Sequence, residues 1–223
     1  MKAMILSAGR GERLRPLTDH TPKPLLKAGN LRLIEHTIQA LVKAGFNDIV
    51  INYAHLGEQF PTLLGDGQQY GAKISYSPER EGGLETAGGI IKALPLLGNE
   101  PFLIVNGDIW TDYPYKQLTP STIATGSLCH LVLVTNPQHN PQGDFALSSG
   151  LISQTGKNKY TYSGIGIYHP DLFSGFKVQR LPLKPLIVDA IVHQQVSGEL
   201  YEGEWSDIGT VERLQQLNAQ FSD

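Results

Sequence analysis

Cysteine is almost missing from this chain of 223 residues, where Cys129 is the single example. That excludes an intrachain disulfide and any zinc site built on several thiolates. A surplus of positive charge is missing as well. Eighteen Lys and Arg stand against 21 Asp and Glu, a formal net charge of −3. Polyanion binding normally shows a basic excess, so nucleic acid is not an expected partner. A small anionic ligand stays compatible, because it needs only a local cluster of cations. No apolar run approaches a membrane-spanning length, and in MKAMILSAG too few apolar residues follow Lys2 for a secretory core. The expectation is a cytoplasmic protein with no membrane partner, a monomer rather than an obligate oligomer. The seven histidines have no His-x3-His or similar spacing, which speaks against a zinc centre. Cys129 itself, within LCHLVLV, reads as a small apolar residue of a buried strand.

What is present is a series of short apolar runs that stop at turn formers: AMILS (3–7), DIVINY (48–53), KISYS (73–77), PFLIVNGD (101–108) and HLVLVT (130–135). Each predicts a strand. Between the first two, Ile34, Ile38, Leu41 and Val42 share one helical face, and Gly45 is placed to end that helix. Further helices are expected over 57–64 and 86–97, the latter ended or distorted by Pro95. Alternation of strand and helix predicts an α/β fold with a parallel sheet covered on both faces. From about residue 136 the rhythm changes to a polar loop, NPQHNPQGD, then TYSGIGIYH (161–169), a helix near 183–196, and a last helix from about 210. This second part is expected as a smaller, irregular lobe beside the sheet.

The loop after the first strand holds Gly9 and Gly11, Arg13 and Arg15, then Lys23 framed by Pro22 and Pro24. In open parallel sheets ligands bind beyond the carboxyl ends of the strands, where this loop must lie. Glycine lets backbone N–H groups approach a phosphate closely. The spacing is neither the Rossmann G-x-G-x-x-G nor a Walker A loop. Prolines on both sides of Lys23 limit backbone freedom and help to aim its ammonium. Together these residues predict a polyphosphate cradle.

Asp108, in VNGD at the end of an apolar strand, faces the same crevice. Asp207, in WSDIGT, precedes a helix that Thr210 is placed to cap. A pair of carboxylates converging on phosphates suits Mg²⁺, which takes few protein oxygens beside water and substrate phosphates.

LSAGRGERLRPLTDHTPKPL, VNGD and WSDIGT, in that order and over essentially the whole chain, closely resemble the sugar-1-phosphate nucleotidyltransferases. The resemblance implies a Rossmann-like, mostly parallel sheet flanked by helices, in one domain over 1–223. Residues 1–135 would form the nucleotide-binding part, and 136–223 the sugar-binding part and terminal helix. It implies nucleotide contacts at Ala8, Gly9, Gly11, Glu12, Arg13 and Lys23, and a base and ribose wall in LETAGG at Glu85, Thr86 and Gly88. Arg13, Lys23 and Asp108 would serve catalysis, and Asp108 and Asp207 would hold Mg²⁺. The short length and GLETAGGIIKALPLLG look most like the family's uridylyltransferases of bacterial cell-wall recycling, which implies UTP and a muramic acid 1-phosphate as substrates. The alternatives are another hexose-1-phosphate nucleotidyltransferase, acting on mannose 1-phosphate with GTP or glucose 1-phosphate with UTP or dTTP, and a non-catalytic regulatory member of the family. Asn106 and Asp144 are the candidate sugar contacts. The chain departs from the family in lacking a Glu-Lys-Pro element that reads the sugar phosphate. In its place stands ISQTGKNKYTYSG, which leaves Lys157 and Lys159 as candidate cations.

Overall fold

The computed structural model describes residues 1–80 and 82–221. In chain order the elements are β1 (Ala3–Leu6), β2 (Lys27–Ala28), β3 (Leu31–Arg32), α1 (Leu33–Lys43), β4 (Asp48–Tyr53), α2 (Gln59–Leu64) and β5 (Lys73–Pro78). They continue as α3 (Glu85–Leu97), β6 (Phe102–Asn106), β7 (Ile109–Thr111), β8 (Cys129–Val134), β9 (Phe145–Ser148), β10 (Leu151–Ser153) and β11 (Lys159–Tyr168). The last are α4 (Lys184–Val192), β12 (Val196–Tyr201), β13 (Trp205–Asp207) and α5 (Val211–Gln220).

Nine strands form one sheet in the order β5-β4-β1-β6-β11-β8-β12-β10-β9. The first four run parallel. β11 is antiparallel to both β6 and β8, and β12 returns parallel to β8. The expected α/β architecture is therefore present, with its unbroken parallel run ending at β6. Residues after 136, expected beside the sheet, in fact supply β11 and β12 to its interior. The cause lies in SGIGIY, where every residue from Ser163 to Tyr168 is buried. A strand buried on both faces needs a packed layer above and below it, and the two cores on either side of the sheet supply these to β11.

Side chains alternate across the sheet. Met4 of β1 faces a core completed by α3 and α4, with Ile90, Leu97, Leu186 and Ile187. Its neighbours Ala3 and Ile5 face the opposite core, closed by Ile34, Ile38 and Leu41 of α1 and Phe60 of α2. Pro95 does not stop α3. It sits in the last turn, where its missing N–H forfeits one bond, and Gly98 N still donates to the Leu94 carbonyl at 2.9 Å. α4 ends at Val192, earlier than expected, as the chain turns back through Gln195 N to the Ala190 carbonyl (2.9 Å) and enters β12.

A smaller cluster matters most for the site. Leu14 of the opening loop packs with Leu26, Leu33, Ile208, Leu214 and Leu217. It clamps the loop after β1 to the start of α5, joining both ends of the sequence at the carboxyl edge of the parallel strands.

Candidate active site

A cleft of about 680 Å³ opens at that edge. Ala8, Gly9, Gly11, Glu12, Arg13, Lys23, Glu85, Thr86, Asn106 and Asp108 all line it. The sequence spreads these residues over a hundred positions, and the fold brings them together. Gly11 has φ +68°, and a Cβ there would stand 3.0 Å from Lys23 Cβ and from Thr18 Cγ2. Thr18 Oγ1 donates to the Gly11 carbonyl at 2.8 Å, fixing the turn that carries Glu12 and Arg13. Gly9 differs. A Cβ there would meet no protein atom within 4 Å, so packing within the protein does not demand glycine. Arg15 takes no part: it pairs with Asp19 at 2.7 Å on the surface.

Lys23 is buried, and its ammonium donates to Asp108 Oδ2 at 2.5 Å. The ribbon of β7 and β13 sets Asp207 opposite Ile109, and Ile208 N donates to the Asp108 carbonyl at 2.7 Å. Asp207 thus comes to the cleft rim beside Gly209, close to Arg13: a Cβ on Gly209 would lie 2.9 Å from Arg13 Nη2 and 3.1 Å from Asp207 Oδ2. Arg213 donates to Asp207 Oδ1, and His139 Nε2 lies 2.9 Å from the same oxygen. Thr210 caps α5, accepting from Arg213 N at 3.4 Å, as expected from the sequence. Asp108 and Asp207 form no cluster of three or more metal-ligating side chains among the described residues.

A partly buried polar chain ties this loop to the far wall. Ser7 N donates to Asn52 Oδ1 (2.9 Å), Asn52 Nδ2 to Glu79 Oε1 (2.7 Å), and Leu84 N to Glu79 Oε2 (2.7 Å). Neither Asn52 nor Glu79 stood out in the sequence. Asn52 is the last but one residue of an apolar strand, and an amide in such a run was the available signal. Glu85 opens α3 at φ +58° and pairs with Arg180 at 2.9 Å. Gly88 does not line the cleft. It is buried against the chain at 179–181, where a Cβ would fall 2.1 Å from the Gln179 carbonyl oxygen, and its N–H donates to the Leu181 carbonyl at 3.1 Å. That close backbone approach accounts for the glycine.

A second compartment of about 400 Å³ shares Leu6, Glu85, Thr86 and Asn106 with the first. Asp144 lines it, with Oδ2 accepting from Tyr162 N (3.0 Å) and Asn140 Nδ2 (3.2 Å). Lys157 and Lys159 lie elsewhere, on a separate open depression with Asn136 and Gly143. Backbone pairing of β11 with β9 at Lys159–Ala146 holds them there. Among the described residues, the cation lining the second compartment is Lys184, 3.7 Å from Asp144 Oδ1. Lys184 opens α4, and only the fold brings it beside Asp144. Cys129 is fully buried, and burial pushes its thiol up to about 12, so it offers no nucleophile.

The fold and cleft define a nucleotidyl-transferring protein: the nucleotidyl transferase family model matches residues 2–147, and the chain belongs to that family. Over 225 residues it is 51% identical to the N-acetylmuramate alpha-1-phosphate uridylyltransferase of Neisseria meningitidis serogroup B, covering 98% of this chain and 97% of that protein. It is 31% identical to mannose-1-phosphate guanylyltransferase catalytic subunit beta of Danio rerio, spanning 94% of this chain and 61% of the relative. A solved structure described as a glucose-1-phosphate thymidylyltransferase from Bacillus anthracis shares the fold, with a TM-score of 0.87 at 24% identity over 100% of this chain and 96% of the other. No helix among the described residues is long and apolar enough to cross a membrane.

Proposed function

We propose that this chain transfers the uridylyl group of UTP to N-acetylmuramic acid 1-phosphate, giving UDP-N-acetylmuramic acid and pyrophosphate, as a cytoplasmic enzyme of peptidoglycan recycling. What carries the reading is the end-to-end identity of 51% with a relative of that name. The cleft supports the reaction class. It takes residues 1–223 as one nucleotidyltransferase domain, with the nucleotide held mainly by 1–135 and the sugar by 136–223.

A phosphate monoester is largely ionised near neutral pH, so its attack on the α-phosphorus of UTP needs no general base. The difficulty is to bring together two anions and to hold pyrophosphate as it departs, a task of positioning and electrostatics. Backbone N–H groups of the loop from Ala8 to Gly11 face the triphosphate, and Arg13 and Lys23 balance its charge. Glu12, Glu85 and Thr86 border the nucleoside side, and Asn106 stands where both compartments meet. Asp144 serves the sugar.

Asp108 and Asp207 fit Mg²⁺. They offer carboxylate oxygens and no soft donors, each already attracts a cation, Lys23 to one and Arg213 to the other, and a small protein ligand set leaves room for phosphate oxygens. When bound, the ion supplies neutralisation of phosphate charge.

The test is a panel of UTP, GTP and dTTP against the 1-phosphates of N-acetylmuramic acid, N-acetylglucosamine, glucose and mannose, scored by pyrophosphate release. UTP with the muramic acid compound should give the highest kcat/KM. A higher value for GTP with mannose 1-phosphate would transfer the assignment to the activity named for the guanylyltransferase relative.

A further inference from the structure

We infer that Lys184 is the residue that selects for the sugar's acidic side chain, by pairing with the lactyl carboxylate. The inference rests on the muramic acid reading and deepens it. Muramic acid differs from glucosamine by a lactyl ether, which adds a carboxylate and a methyl group to the ring. A compartment lined by acids would repel that carboxylate, and this one contains two, Glu85 and Asp144. Glu85 is answered from outside by Arg180 at 2.9 Å.

Asp144 is different. Its Oδ2 is taken by Tyr162 N and Asn140, and its Oδ1 faces Lys184 at 3.7 Å, too far for a hydrogen bond. Lys184 is the only cation lining this compartment among the described residues. Its side chain is 68% exposed, so the ammonium is hydrated, loosely held, and available to an incoming anion. The chain around it restricts where it reaches: Pro185 follows at the start of α4, and the ammonium lies 6.0 Å above the Phe145 ring. Phe145, Leu183 and Ile187 supply an apolar wall beside it, suited to the lactyl methyl. A carboxylate placed there would share the ammonium with Asp144, whose Oδ1 would accept from a ring hydroxyl. One cation would then offset the acid that positions the sugar and the acid that the sugar carries.

The experiment measures the ratio of kcat/KM for N-acetylmuramic acid 1-phosphate to that for N-acetylglucosamine 1-phosphate, with UTP saturating. It compares the wild-type enzyme, Lys184→Met and Lys184→Glu, with melting temperature as a check on folding. A partly exposed charge-assisted contact predicts a fall in the ratio of about tenfold in Lys184→Met, through KM for the muramic acid compound. Charge reversal in Lys184→Glu should lower it further. A wild-type ratio above one that neither substitution lowers would overturn the role of Lys184 alone. A wild-type ratio at or below one would overturn the muramic acid reading and the inference with it.

Discussion

The backbone N–H of Ile208 donates to the carbonyl of Asp108 at 2.7 Å. Through that bond the residue after Asp207 is held to a residue from the middle of the chain, and two carboxylates far apart in sequence share one rim. The clamp of Leu14 against Ile208 and Leu214 brings the glycine loop to the same place. The arrangement of the cleft residues therefore depends on α5 as much as on β1.

Asp108→Asn and Asp207→Asn should each lower kcat by roughly a hundred- to a thousandfold, the scale seen when one electrostatic stabiliser of a transition state is deleted. Both proteins should remain folded at assay temperature. Asp207→Asn should also melt a few degrees lower, because the half-buried Arg213 loses its carboxylate, at a cost of about 1–3 kcal/mol. Steady-state kinetics at saturating Mg²⁺ decide the point; near-normal kcat in either variant would remove that residue from the metal role.

Lys23→Ala should weaken UTP binding and slow turnover together. Lys23→Arg should rescue only in part. The Lys23 side chain is 10% exposed and its Cβ lies in a slot shared with Gly11 and Thr18, and a planar guanidinium does not reproduce a compact ammonium there. Wild-type kcat/KM for UTP in Lys23→Ala would show that the loop does not hold the triphosphate.

Gly88→Ala separates packing from binding. With the Gln179 carbonyl oxygen 2.1 Å from the new Cβ, overpacking should cost about 1–3 kcal/mol and lower the melting temperature by several degrees. KM for UTP should stay near wild type below that temperature. A rise in KM without a change in melting would return Gly88 to the nucleotide site.

Away from the cleft, the His130 imidazole, 3.7 Å from its Oε2, draws the Glu199 carboxyl below its ordinary value. Burial opposes this shift, while Tyr113 and Gln117 assist it by donating to Oε1 at 2.5 and 2.9 Å. A depressed carboxyl contributes stability above its unfolded value of 4.5, and that contribution is lost as pH falls through the lower folded value. Glu199→Gln should therefore be less stable than wild type near neutrality, with the gap narrowing below about pH 4 in acid unfolding curves. A gap independent of pH would mean that the carboxylate charge does not stabilise the fold.

That Gly9, Gly11, Arg13 and Lys23 share one cleft was legible because they are near one another in sequence, and Asp108 because it ends an apolar strand. The strands of the parallel half were legible from their apolar runs. What escaped were consequences of distant pairing. The apolar run in TYSGIGIY marks a buried strand, but nothing local names β6 and β8 as its neighbours, since strand order is fixed by packing across the whole sheet. Lys184 approaches Asp144, and Arg213 and His139 approach Asp207, only after the chain has folded. Gly88 misled for a different reason: glycine serves close approach to a ligand or to backbone alike, and only the fold shows that its neighbour is Gln179.

The most direct test of the account is product analysis by mass spectrometry after incubation with UTP, N-acetylmuramic acid 1-phosphate and Mg²⁺. The account predicts UDP-N-acetylmuramic acid and pyrophosphate in equal amounts, with both products abolished in parallel by Asp108→Asn. Pyrophosphate accompanied by UMP and no sugar nucleotide, or no pyrophosphate at all, would contradict it.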